Sequence, residues 1–130
     1  EYLEVADAWP LNPNGELLLG LKIENKRAVE KLGETLSTPG ISFAEWGPGD
    51  MSMSLGYRAL PQPLTKELLE IRNKVFNGCR KNEVKFLEHA TPEDIQEKIS
   101  EGVRVISAVG SLGEETATAG RHYSGRSLPV

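Results

Sequence analysis

The sequence is short of several things, and each shortage closes off a class of protein. It has one cysteine, Cys79, so no disulfide can form within it, which suits a reducing, cytoplasmic setting. It has no surplus of positive charge: 15 Lys and Arg stand against 19 Asp and Glu, for a formal net charge of -4, which leaves no electrostatic footprint for nucleic acid. It has no apolar run long enough to span a bilayer. It opens on Glu1 in an acidic stretch without the basic n-region of a secretory signal, so we expect a chain that begins inside a longer gene product. No glycine-rich dinucleotide loop or Walker-type phosphate loop follows any apolar segment.

What is present fits one compact globular domain: 130 residues, 38% hydrophobic and 26% charged. Residues 1–16 read as a lead-in helix over EYLEVADAW and then a loop, marked by Pro10, Pro13 and the Asn14-Gly15 pair. LLLGLKIE (17–24) is a short apolar run of the kind a buried strand shows. Ala28, Val29, Leu32 and Leu36 then recur at helical spacing over 26–37, until Pro39-Gly40 ends the pattern. ISFAEW (41–46) is the second strand, and GPGDMSMSLG (47–56) reads as a glycine-rich loop. Thr65 caps the longest helix (65–82), with Leu68, Ile71, Val75 and Cys79 as its buried stripe. VKFLEH (84–89) is the third strand. Thr91 with Pro92 and the acids after it opens a helix that runs to Gly102. VRVISAVG (103–110) is the fourth strand. The tail, 111–130, is rich in Gly, Ser and Thr and carries Arg121, His122 and Arg126; it lacks a clear apolar period and is expected to be loosely ordered or docked on a neighbour.

Strands that alternate with helices imply parallel βα units. The four units over 17–110 match half of an eight-stranded barrel, which needs about 250 residues. The expected fold is therefore α/β, a parallel (β/α)8 TIM-type barrel of which this chain is the C-terminal half; a small flavodoxin-like sheet is the competing fold. Glu24 ends the first strand and Asp50 follows the second. Neighbouring strands lie roughly 4.8 Å apart, and in such barrels the C-terminal strand ends carry the site, so the two carboxylates can reach one ion. Oxygen ligands favour a hard cation, Mg²⁺ or Mn²⁺. On spacing alone the plainer reading is ahead, with Glu24 capping a helix and Asp50 a solvated loop acid. Gly47-Pro48-Gly49-Asp50 adds weight, because glycines let a backbone approach a ligand and the amides of Gly49, Asp50 and Met51 can form a nest for a carboxylate. Ser52 and Ser54 add hydroxyls that either donate to a ligand or cap the next turn.

Ile23-Glu24-Asn25, then a helix, then WGPGDMSMSLGY (46–57) resembles the HpcH/HpaI aldolase family, in the superfamily of the citrate lyase beta subunit. AVGS (108–111) is similar to the family's last barrel strand, and the likeness runs in order over 17–111. It implies a class II, metal-dependent aldolase that cleaves or forms 4-hydroxy-2-oxo acids. In the family the matching Glu and Asp, here Glu24 and Asp50, hold Mg²⁺, Mn²⁺ or Co²⁺. The ion takes the keto and carboxylate oxygens of pyruvate, or a near analogue such as hydroxypyruvate, and stabilises the enolate as a Lewis acid. The loop matching Pro48, Gly49, Asp50, Met51 and Ser52 faces the substrate, the Gly49 and Asp50 amides binding its carboxylate. A second enzyme reading is a CoA-thioester lyase of the malyl- or citramalyl-CoA type. A reading from another class is a non-catalytic barrel fragment used in assembly.

The sequence departs from the family pattern in places. Gly49 stands where alanine is commoner, and Met51 and Met53 are mild changes. FLEHA in the third strand leaves Glu88 and His89 as extra polar groups near a substrate; His89 is the one candidate catalytic residue here, though a lone strand-end His is more often a surface or capping residue. Trp46 reads as core or pocket wall, and Lys22, one pleat from Glu24, as structural or supporting. The family's general-base His and substrate-binding Arg lie on earlier strands, which Arg121 and His122 do not match. The implied partners are a 2-oxo acid with an aldehyde, the N-terminal half of the same barrel, which would cover the open sheet edges, and further copies of the subunit, since the family is commonly hexameric.

Overall fold

The computed structural model describes residues 7–126, in two compact units, one reaching to Phe86 and one starting at Leu87. Both are α/β, built from parallel strands alternating with helices. No helix among the described residues is long and apolar enough to cross a membrane.

In the first unit, β1 (Ala8–Trp9) pairs parallel with β2 (Leu17–Leu18). Residues 1–6 of the expected lead-in helix lie outside the described residues, and its end is strand instead: Ala8 and Trp9 take partners on β2, and the Ser42 hydroxyl donates to the Trp9 carbonyl at 2.5 Å. The single strand expected over 17–24 is also divided. β3 (Gly20–Ile23) starts after a break at Leu19, whose carbonyl accepts from both Ser42 and Phe43. The apolar run does not bury its first half, since Leu17, Leu18 and Leu19 are all exposed.

β3 pairs parallel with β4 (Phe43–Trp46), Lys22 opposite Glu45 and Ile23 opposite Trp46. Strand side chains alternate between faces. One face carries Ile23, Ala44 and Trp46 into the core. The other carries Gly20, Lys22, Phe43 and Glu45, with the Phe43 ring lying where a Gly20 side chain would be.

The helix expected over 26–37 is kinked into α1 (Lys26–Glu30) and α2 (Leu32–Leu36). Bonds from Lys31 N–H to Arg27 O and from Thr35 N–H to Lys31 O run through the kink, so the chain bends without unravelling. The segment expected as a loop at 47–56 is largely helix, α3 (Pro48–Ser54). Proline at the first helical position needs no N–H partner and has the right φ, so Pro48 starts a helix here rather than a turn. Thr65 caps α4 (Lys66–Lys81), accepting from Leu68 N–H at 3.4 Å. The buried stripe of α4 is Leu68, Val75, Phe76 and Cys79, with Ile71 only half-buried. Gly78 lets α4 close on α2: a Cβ there would sit 3.0 Å from Leu32 Cδ2 and 3.1 Å from Leu36 Cδ1. Phe76 and Phe86 pack edge to face, centroids 5.3 Å apart, with the Arg72 guanidinium near both rings.

β5 (Lys85–His89) enters the second unit, where it pairs parallel with β6 (Val105–Ser107). The expected helix start at Thr91-Pro92 is displaced. Asp94 folds its carboxylate back onto the Thr91 N–H at 2.7 Å, closing a turn first, and α5 (Ile95–Glu101) follows. The tail corrects the reading most. Residues 113–123 form α6 (Gly113–Tyr123), with Thr116 and Gly120 buried. Its inner face is made of small residues, so it shows no apolar period: a Cβ on Gly120 would lie 2.5 Å from Ile95 Cδ1, which puts the helix backbone directly on α5. Ser100 and Tyr123 hydroxyls, 2.7 Å apart, join the same two helices.

Two expectations follow from this packing. Gly120→Leu should lower stability by about 1–3 kcal/mol through overpacking against Ile95, seen as a lower urea midpoint; an unchanged midpoint would contradict the close α5–α6 contact. Cys79 is wholly buried, and that burial pushes its thiol up to about 11. Iodoacetamide at pH 8 should therefore label the native protein far more slowly than the protein in guanidinium chloride, and equal rates would show the site to be open.

Candidate metal centre

Glu24 is the first residue beyond β3, and Asn25 after it is the cap of α1, its side chain accepting from Ala28 N–H at 2.9 Å. The capping task is thus already taken, which leaves the Glu24 carboxylate for something else. Asp50 lies in the first turn of α3 and is exposed. The two acids come from the ends of neighbouring parallel strands, and the residue between them in space is Gly47.

Gly47 donates its N–H to the Ile23 carbonyl at 3.2 Å, so the chain leaving β4 is tied to the end of β3. A Cβ at Gly47 would meet Glu24 Cβ at 2.8 Å, Glu24 Oε2 at 3.1 Å and Asp50 Oδ2 at 3.8 Å. Both carboxylates therefore border the place where a side chain at residue 47 would begin, and the glycine lets them lie there together. Two carboxylates around a small cradle suit a hard divalent cation, which takes oxygen ligands and commonly keeps waters or substrate oxygens for the rest. Among the described residues no group of three or more His, Cys, Asp or Glu could hold a metal, so the pair would need such additional oxygens.

A cation is already drawn to this place. Lys22 Nζ lies 3.3 Å from Glu24 Oε2. The hydrogen bond from Lys22 to Glu24 is the largest influence holding the ammonium above the ordinary lysine range, followed by the charges of Glu24, Glu45 and, more weakly, Asp50. The residues present fit a bound cation on that ground: the field that retains the ammonium is the field a metal ion would meet.

The other residues of the loop divide. The N–H groups of Gly49 and Asp50, in the first turn of α3, have no carbonyl one turn back within the helix, while Pro48 has no N–H at all. Met51 N–H donates to the Gly47 carbonyl at 2.9 Å and its side chain is buried. The Ser52 hydroxyl, also buried, donates to the Gly49 carbonyl at 2.7 Å. Ser54 Oγ accepts from Lys26 N–H at 3.1 Å, tying α3 to α1. Met51, Ser52 and Ser54 thus hold the turn in shape, and Gly49 and Asp50 supply N–H groups of the helix start. Trp46 is core.

In the second unit, His89 ends β5 with Nδ1 2.9 Å from the Ser107 carbonyl. A carbonyl only accepts, so Nδ1 carries the proton and the neutral ring has its lone pair at Nε2. The His89 carbonyl accepts from the Lys98 ammonium, which is also 3.0 Å from Asp94 and 3.9 Å from the largely buried Glu88. Glu88 and His89 are thereby joined to a structural network at the strand end. Arg121 and His122 lie on α6. The sequence reading passed over Glu45; the signal was its place opposite Lys22 in the parallel register, two residues before Gly47.

A family model of HpcH/HpaI aldolase/citrate lyase matches residues 10–119. No curated protein matches the chain. Among solved structures, an HpcH/HpaI aldolase from Desulfitobacterium hafniense DCB-2 is similar at TM-score 0.64 and 23% identity, over 99% of this chain and 50% of that one. A citrate lyase beta subunit from M. tuberculosis, complexed with oxaloacetate and magnesium, gives 0.67 and 14%, over 91% and 57%. Macrophomate synthase gives 0.65 and 21%, over 86% and 39%. The chain spans about half the length of the solved structures it matches, and at these identities the likeness speaks to fold: the strands and helices described above are part of a β/α barrel of that kind. With a match over residues 10–119, the chain belongs to the HpcH/HpaI aldolase/citrate lyase family.

Proposed function

We propose that Glu24 and Asp50 hold a divalent cation, Mg²⁺ or Mn²⁺ with Co²⁺ as a further fit, in a carbon–carbon lyase that cleaves or forms 4-hydroxy-2-oxo acids. The observation that carries this reading is that Glu24 Oε2 and Asp50 Oδ2 both border Gly47, at 3.1 and 3.8 Å from where its Cβ would be. When bound, such an ion supplies Lewis-acid stabilisation of the negative charge that develops on a 2-oxo acid as its enolate forms.

The chain's own residues have distinct parts in this scheme. Gly47 keeps the cradle open and, through its bond to Ile23, fixes the spacing of the two acids. The Gly49 and Asp50 amides receive the carboxylate of pyruvate or hydroxypyruvate, where the amide dipoles favour negative charge. Met51 and Ser52 hold that turn rigid from beneath. The Gly47-Pro48-Gly49-Asp50 loop supports the free 2-oxo acid reading over the CoA-thioester one. The family resemblance puts the general base and the substrate arginine on barrel strands ahead of Glu24.

Titration of Mn²⁺ followed by water proton relaxation tests the centre. Wild type should bind, and Glu24→Gln and Asp50→Asn should each weaken binding by at least roughly tenfold, the low end of what losing even an outer partner of a metal costs. Gly47→Ala should weaken it too, because the methyl group must displace Glu24. Undiminished Mn²⁺ binding in both acid variants would remove the site.

A further inference from the structure

Lys22 stands on the same side of the strand as Glu24, two residues ahead of it, and its ammonium lies 3.3 Å from Glu24 Oε2. That is the oxygen that borders the Gly47 cradle. Across the parallel pair Lys22 is in register with Glu45, and Glu45 contributes to the negative field at the ammonium. The Lys22 side chain is 56% exposed, so it is free to turn from one acid to the other. One fixed positive charge is therefore seated on a carboxylate assigned to the metal, with a second carboxylate next to it that the metal does not use.

We propose that Lys22 is a built-in competitor for the divalent cation: its ammonium neutralises Glu24 until the ion arrives, and then passes to Glu45. The inference rests on the metal-binding reading of Glu24 and Asp50. Two physical effects drive the handover. The ion and the ammonium repel each other at short range, and Glu45 offers the displaced charge a partner that costs no rearrangement of the strand. Lys22 would then set the threshold concentration of metal at which the site fills, and Glu45 would lower that threshold by taking the ammonium away. The pair works as a selectivity device, because a monovalent cation gains too little from Glu24 to displace a lysine already in place.

Mn²⁺ affinity, measured by the loss of free-ion signal in electron paramagnetic resonance, separates the possibilities. Lys22→Met should bind Mn²⁺ about three- to tenfold more tightly than wild type, the scale of one exposed ion pair together with relief of like-charge repulsion. Glu45→Gln should bind about two- to fivefold more weakly, because the displaced ammonium loses its second seat. The double variant should lie close to Lys22→Met, below it only by the direct attraction of the Glu45 charge for the ion, so the effect of Glu45→Gln should be smaller without Lys22 than with it. The gain in Lys22→Met should shrink at high ionic strength. Unchanged or weaker Mn²⁺ binding by Lys22→Met, with circular dichroism like that of wild type, overturns this inference, while a loss in Glu24→Gln in the same series leaves the metal site standing. Wild type that binds no Mn²⁺ overturns the site and this inference together.

Discussion

The arrangement at the end of β3 depends on one close approach. Gly47 donates to the Ile23 carbonyl and lies so near Glu24 that no side chain fits between them. That contact brings the start of α3 beside the end of β3, and with it the Asp50 carboxylate beside the Glu24 carboxylate. Any side chain at residue 47 would push against Glu24, whose Cβ lies 2.8 Å from where it would start. The glycine is therefore required by the space it leaves, and its φ of -99° asks for no special conformation.

The rest of the first unit keeps this approach rigid. Ile23, Ala44 and Trp46 anchor the two strands from the core side, and Met51 and Ser52 anchor the first turns of α3 from below. Packing on that face leaves the opposite face to Lys22, Glu45 and the Gly20–Phe43 contact. Lys22 stays exposed on that face and pairs with Glu24. The same charges make the end of β3 a place that attracts cations. On the proposed reading, structural pairing and metal binding draw on one set of carboxylates, which makes the lysine and the ion rivals.

Much of the frame was legible from residue patterns. The alternation of short apolar runs with helical periods gave the parallel βα units, and Thr65 marked the start of α4 because a capping hydroxyl has a definite local geometry. Glu24 and Asp50 could be named as candidates from their places at strand ends, although spacing alone favoured a helix cap and a solvated loop acid. Other features were hidden for identifiable reasons. Gly47-Pro48-Gly49 looks like a turn, yet proline at a helix's first position is neutral and Asp50 favours a first turn, so α3 begins where a loop was expected. α6 was invisible because its buried side offers Thr116 and Gly120, and close packing of small residues leaves no apolar rhythm. Leu17 to Leu19 look like core and are exposed, since a run of apolar residues records composition and not what covers it. Glu45 could be found only through register, which a single sequence does not display.

In the proposed site Glu24 and Asp50 share one divalent ion beside Gly47. Anomalous diffraction from crystals of this chain soaked in Mn²⁺ tests it most directly. A single strong manganese peak is expected within about 2.2 Å of both a Glu24 and an Asp50 carboxylate oxygen, the distance of small hard cations from oxygen, with the Lys22 ammonium moved off Glu24. A peak bound by other residues, or no peak at a manganese concentration that saturates the protein in solution, would contradict it.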